Sequence, residues 1–270
     1  MVDTLRNRRL RFSAASTFPD KNEGLEIIYN SLHAAVESND GSYTGITSQE
    51  DIWRFHSIQK QGSFICCWIR DADSIALWSL YSADRCGVRI SSTTSKLNAA
   101  IDNFARNYSM QLQLNRFGLT DGASYAFIQG AMVREVSYDN LRALHENILK
   151  NSLSPEVLSD LRNGLESFTL KDEAYRHEQE IRGIVTRVLA TPSGSTGPYR
   201  FTDSAPWLDG DHVYVDICDD FIDSVAIDPR CPKYKREIIE NYLRDHNISL
   251  SLSRAFGYLP DELDFATPKN

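Results

Sequence analysis

The stretch Glu180-Ile181-Arg182-Gly183-Ile184-Val185-Thr186-Arg187-Val188-Leu189 constrains this chain more than any other. Its Ile, Val and Thr residues favour an extended backbone, and a run this apolar has to be covered, so it predicts a buried strand. It opens with charge: Tyr175-Arg176-His177-Glu178-Gln179-Glu180-Ile181-Arg182. On a continuous strand, alternate side chains share a face, so the spacing places Glu178, Glu180 and Arg182 in one row. Two carboxylates this close repel, and one is expected to titrate higher unless a cation compensates. The row reads either as a solvated strand edge balanced by Arg176 and Arg182, or as a working pair of carboxylates.

Four more segments read as strands, namely Arg9–Ala14, Phe64–Ile69, Val88–Ser91 and the alternating Ala131–Tyr138. His212–Cys218 and Ile222–Ile227 add two near the end. Helical spacing marks Leu25–Ser38, Ile75–Ser82, Lys96–Asn107, Asp139–Asn151, Ser154–Thr169 and Pro232–Asp245. Asp71-Ala72-Asp73-Ser74 is expected to cap the second of these, and Ser91-Ser92-Thr93-Thr94-Ser95 the third. Lys171–Glu178 reads as a polar bridge, Thr191–Pro198 as a loop, and the pattern between Tyr108 and Gln129 supports no assignment. With no repeat and no linker, residues 1–270 read as one α+β domain, a central mixed or antiparallel sheet flanked by helices.

Charge and composition narrow the function classes. The formal net charge is −8, which repels a polyphosphate on average and disfavours a protein that coats nucleic acid. It leaves room for a local site around one phosphate or dinucleotide. No apolar run has the length of a membrane span, and the N-terminus lacks the apolar core of a secretory signal, so a cytoplasmic protein without membrane partners is expected. The five cysteines include no C-x-x-C unit, which points to reduced thiols and to no metal. No Walker loop, G-x-S-x-G elbow, G-x-G-x-x-G or H-E-x-x-H occurs. Trp78 and Tyr81 share a helical face: Trp78 suits a core, and Tyr81 has a polar tip fitted to a pocket mouth. Arg85 and Arg89 follow, either as surface charge or as an anion site.

The order RLRFSAASTF, FICCWIRDADSIALWSLYSADRCGVRIS, VREVSY, TLKDEAYRHEQEIRG and DSVAIDPR resembles the bacterial family called "domain of unknown function 2971". Trp78, Tyr81, Gly87, Lys171, Glu178, Glu180 and Arg182 fall on its pattern, and the likeness runs from about Leu10 to Ile239, leaving 240–270 as an extension. Asp20 and Glu23 sit in an early loop that departs from that pattern, and Tyr175 stands where the family has Trp. The order of strands, with Glu-x-Glu opening a late one, also resembles the ADP-ribosyltransferase fold.

That second resemblance implies an NAD-consuming transferase, an intracellular toxin or phage-defence effector that modifies a protein or nucleic acid and is held by an antitoxin-like partner. Glu180 would stabilise the positive ribose and Glu178 would serve as the acceptor's base. Arg11 would hold a phosphate, Ser13 a ribose or amide group, and Tyr81 would stack on nicotinamide, with Trp78 and Arg182 completing the NAD site. A carboxylate placed against developing positive charge acts most strongly in the transition state, which is what cleavage of an N-glycosidic bond requires. Two other readings stand beside it: a metal-dependent nuclease using Glu178, Glu180 and an acid from the early loop, and a non-catalytic, antitoxin-like binding module whose Glu-x-Glu-x-Arg row is structural.

Overall fold

Leu10, Phe12 and Ala14 alternate with Arg9, Arg11 and Ser13, and the fold buries the first set while leaving the second more open. The computed structural model describes residues 2–20, 22–24, 57, 60–70, 73–108, 110–112, 124–151, 166–190 and 211–257. The expected helix Leu25–Ser38, the loop Thr191–Pro198 and most of the expected helix Ser154–Thr169 lie outside them.

The chain opens with α1 (Val2–Asn7), β1 (Arg9–Ala14), β2 (Ser63–Ile69), α2 (Ile75–Tyr81), β3 (Val88–Ser91) and α3 (Thr94–Asn107). Next come β4 (Met110–Leu112), β5 (Ser124–Glu135), β6 (Ser137–Asp139), α4 (Leu141–Asn151) and β7 (Leu170–Asp172). The last elements are β8 (Glu180–Ala190), β9 (His212–Asp216), β10 (Ser224–Ile227), α5 (Lys233–Asp245) and β11 (Leu250–Ser251). The six-stranded sheet runs β4-β5-β8-β2-β1-β9 with every neighbouring pair antiparallel. In the three-stranded sheet β11-β10-β3, β10 pairs parallel with β11 and antiparallel with β3, and β6 pairs parallel with β7. The architecture is α+β. No helix among the described residues is long and apolar enough to cross a membrane.

Helix α3 covers one face of the large sheet. Leu97, Ala100 and Ile101 recur at helical spacing and are buried against Leu10, Phe12, Phe64, Val185 and Val215. Thr93 caps this helix by accepting the Lys96 N–H at 3.2 Å, as the serine- and threonine-rich run implies. The helix comes so close to β8 that a Cβ at Gly183 would lie 2.8 Å from Ile101 and 3.1 Å from Phe12, which leaves room for glycine alone. On the opposite face Ile65 and Ile184 pack with Phe168 and Ala15. With both faces covered, Glu180 through Val185 are all buried.

Three local expectations need correcting. The expected strand Ala131–Tyr138 is broken at Val136, which is buried and donates its N–H to the Glu180 carbonyl at 2.9 Å; beyond it β6 leaves the large sheet for β7. Ser74 stands at the start of α2 without a capping bond from its side chain. Asp73 turns away as well, to Ser253, the Arg254 N–H and the Trp78 indole. The polar bridge Lys171–Glu178 contains most of β7 and a short 3₁₀ segment, Glu173–Glu178, too brief for periodicity to register. Helix α1, unread in the basic N-terminus, buries Leu5 against Val225 and Leu243.

Candidate functional site

The site begins where the 3₁₀ segment ends. Asp172 caps that segment by accepting the Ala174 N–H at 3.0 Å, and Gln179 ends it in the left-handed region (φ 44°, ψ 51°). Period-two alternation needs an extended backbone through residue 179, and Gln179 is not extended. Glu178 therefore lies off the strand, in the turn before it, and the expected row of charges on one strand does not form.

A lysine nevertheless draws the two carboxylates together. Lys171 on β7 places Nζ 2.6 Å from Glu178 Oε2 and 3.5 Å from Glu180 Oε2. Tyr81, at the end of α2, donates its hydroxyl to Glu178 Oε1 at 2.8 Å. Arg182 binds Glu180 Oε2 through Nε at 3.0 Å and Nη2 at 2.9 Å, and donates Nη1 to the Phe168 carbonyl at 2.7 Å. It also grips both oxygens of Glu23, one of them through Nη2 at 3.1 Å. The Glu180 N–H donates to the Tyr138 hydroxyl at 2.8 Å, which ties β6 to the site. Among the described residues, two cations thus face three carboxylates, Glu23, Glu178 and Glu180, a formal excess of one negative charge.

Glu23 reaches this cluster through an Asx turn. Asp20 accepts the Asn22 N–H at 2.9 Å on its side chain and the Glu23 N–H at 3.1 Å on its carbonyl. Gly24 follows with φ +76° and lies against Phe168, leaving no space for a side chain. The departure of this loop from the resembled family's pattern had told against Glu23 as a site residue. The signal that identifies it is physical: a buried guanidinium has five N–H donors to satisfy, more than one carboxylate takes up.

Burial by itself would raise the Glu178 carboxyl. The hydrogen bonds from Lys171 and Tyr81 outweigh it and hold Glu178 below its ordinary range. This is the compensation that adjacent carboxylates require. Burial raises the Tyr81 hydroxyl, and its carboxylate partner raises it further, so Tyr81 stays a donor. Burial works against the Lys171 ammonium, yet Glu178 and Glu180 lift it above its usual value.

Glu180 forms part of the wall of a cavity of about 290 Å³ between the two larger sheets. Cys67 and Ile69 of β2, Leu77, Trp78 and Tyr81 of α2, and Val88 and Arg89 of β3 line it, with Ser82 and Gly87 between them. Arg89 pairs with Asp73 at 3.4 Å and has a buried Nε with no hydrogen-bond partner. Cys67 is open to the cavity but hemmed in by protein elsewhere, and that desolvation sets its thiol well above the usual value.

The structure brings together Glu178, Glu180, Tyr81 and Arg182, with Trp78 across the cavity. Trp78 is 6% exposed and Tyr81 65%, so the first is a wall and the second a rim. Arg182, 1% exposed, holds Glu180 from behind and does not line the cavity. Ser13 shares the sheet face of Ile65, its partner across β1 and β2, and Arg11 is exposed and paired with Asp211 at 3.2 Å; neither lines the cavity. Tyr138 enters the site without having been singled out for it, while Glu23, doubted because of its loop, and Arg89, left open between surface charge and anion site, join it as well. Among the described residues, no three His, Cys, Asp or Glu side chains are grouped to hold a metal ion.

The depressed Glu178 carboxyl has a consequence for acid stability. A group titrating lower when folded stabilises the native state above its unfolded value, ordinarily 4.5, and that contribution disappears as pH falls through the folded value. Below about pH 4.5 the wild type should lose stability more steeply than Glu178→Gln, as read from urea midpoints across an acid series. Equal slopes would mean the carboxylate gains nothing from Lys171 and Tyr81.

Compared with family models, with curated proteins and with solved structures, the chain finds no match in any of the three.

Proposed function

We propose that the cavity binds the nicotinamide–ribose end of NAD and that the protein is an NAD-dependent ADP-ribosyltransferase. One observation carries this reading: Glu180 faces an otherwise largely apolar cavity from a cluster with one carboxylate in excess. Such a wall favours positive charge, and breaking the bond between nicotinamide and ribose creates it on the sugar. Arg182 and Lys171 fix Glu180 in place, so little reorganisation is needed as that charge develops. The cavity is at the small end of ligand sites and suits a nicotinamide nucleoside, with the remaining dinucleotide lying outside it. Tyr81 and Trp78 offer aromatic surface to the nicotinamide ring, and Glu178 accepts the proton of the attacking group. The acceptor is a protein or nucleic acid, in the toxin or phage-defence setting that the resemblance implies.

The test is incubation with NAD labelled in its nicotinamide. Wild type should release label, and Glu180→Gln should release it at least about a hundredfold more slowly while its circular dichroism spectrum stays native. Glu178→Gln should spare hydrolysis more than transfer. A wild type that binds NAD, with a raised melting temperature but no released label, would support the second reading, a non-catalytic binding module. That reading is favoured by the cations already occupying Glu178 and Glu180. The nuclease alternative receives no comparable support, since among the described residues no three His, Cys, Asp or Glu side chains are grouped as a metal-ligand set.

A further inference from the structure

Cys86 and Cys231 lie far apart in sequence and meet at the end of the three-stranded sheet. Val88 on β3 is paired with Ile227 on β10, and the ladder continues as Gly87 accepts the Asp228 N–H at 3.0 Å. A tight turn then carries the chain back: Cys231 donates its N–H to the Asp228 carbonyl at 2.9 Å, and Asp228 Oδ1 accepts the Arg230 N–H at 2.9 Å. This turn brings the Cys231 thiol beside the Cys86 thiol, with Cys231 Sγ directed at its neighbouring Pro232 carbonyl at 3.8 Å and Cys86 Sγ at the Asp84 carbonyl at 3.2 Å. From α5, Lys235 points its Nζ at Cys86 Sγ, 3.3 Å away. Both backbones are held: the Cys86 N–H donates to Asp84 at 3.0 Å, and Arg230 clamps the turn to the Trp78 carbonyl at 2.9 Å.

We propose that Cys86 and Cys231 are a peroxide-oxidisable dithiol, a modification site in which Cys86 reacts first and Cys231 closes the disulfide. The two thiols differ in the required way. Cys86 is half-buried and has the Lys235 ammonium 3.3 Å from its sulfur, the electropositive, partly open setting in which reactive cysteines sit. Cys231 is buried, and burial followed by its neighbour Cys86 pushes its thiol up to about 11, so it waits as a neutral thiol.

The chemistry balances with hydrogen peroxide as oxidant. The Cys86 sulfur attacks one peroxide oxygen, the O–O bond breaks, and the departing oxygen leaves as water once it has gained a proton. Cys86 is then a sulfenic acid, oxidised by two electrons. The Cys231 sulfur displaces the sulfenic hydroxyl, which departs as a second water carrying the Cys231 proton, and the S–S bond forms. Two thiols and one peroxide become one disulfide and two waters. Because Cys86 precedes Gly87 in the cavity wall, the cross-link tethers that wall to the turn after β10.

The full-length protein is treated with dilute hydrogen peroxide, blocked with iodoacetamide and mapped by mass spectrometry, with Cys67 and Cys218 as internal comparisons. Wild type should yield the Cys86–Cys231 linked peptide before Cys67 or Cys218 is oxidised. Cys231→Ser should leave a sulfenic acid on Cys86 that dimedone traps, and Cys86→Ser should keep Cys231 reduced. Lys235→Met should slow the reaction about tenfold without altering the melting temperature of the reduced protein. The proposal is overturned if the exposed Cys218 oxidises first, or if Cys86 proceeds to sulfinic acid while Cys231 remains free.

Discussion

Arg182→Ala should destabilise the fold by about 3–5 kcal/mol, the range for removing one partner from a buried ion pair. The guanidinium satisfies Glu23, Glu180 and the Phe168 carbonyl at once while remaining 1% exposed. Its loss leaves two enclosed carboxylates, with Lys171 3.5 Å from Glu180 as the remaining cation paired with them among the described residues. Arg182→Lys should recover only part of the loss, because an ammonium cannot fork toward Glu23 and Glu180 together. A double-mutant cycle separates the terms: with Glu23→Gln already present, removing Arg182 should cost clearly less than in the wild type. Urea midpoints provide the measurement, and a loss under about 1 kcal/mol would show that water already solvates these charges.

Trp78→Ala belongs to the same range, about 3–5 kcal/mol for an emptied aromatic site. The indole packs with Ala226 and Ala255, joining α2 to the smaller sheet. Its Nε1–H donates to Ser253 at 3.1 Å and lies 3.4 Å from Asp73. Truncation removes the packing and a donor together, and it opens the core into the cavity that Trp78 walls. Trp78→Phe keeps most of the packing and deletes the donor, so it should fall between wild type and alanine. A denaturation midpoint unmoved by Trp78→Ala would place the indole outside the load-carrying core.

Legibility in the sequence followed periodicity. β1, β2 and β8 were readable because Leu10–Phe12, Phe64–Ile69 and Ile181–Leu189 are apolar in patterns that a sheet explains. α3 was readable because Leu97, Ala100 and Ile101 share a stripe behind a threonine cap. Convergence was not readable. Arg182 and Glu23 stand 159 residues apart, and no local pattern announces that they meet. Glu178 was put on the wrong element because one left-handed residue, Gln179, overrides an alternation that assumes extended chain. β7 is three residues long, below the length at which any period can be counted. Of the site, Glu178, Glu180 and Tyr81 were identifiable from chemical type and spacing, whereas Arg89 stayed an open choice between surface charge and anion site. The partners that fix the carboxylates depend on tertiary closure.

The strand order β4-β5-β8-β2-β1-β9 has a consequence for synthesis. β2 is hydrogen-bonded to β1 on one side and to β8 on the other, yet roughly a hundred residues separate the end of β2 from the start of β8. At ordinary elongation rates a ribosome needs on the order of ten seconds to supply them. During that interval the nascent chain carries Phe64, Ile65 and the carboxylate of Glu23 with neither the strand nor the guanidinium that will cover them. Substitutions that slow release of the β8 segment, or synonymous codons that delay its translation, should lower the yield of native protein without altering the stability of the finished molecule. Until β8 arrives, the unpaired edge of β2 is open to pairing with another chain.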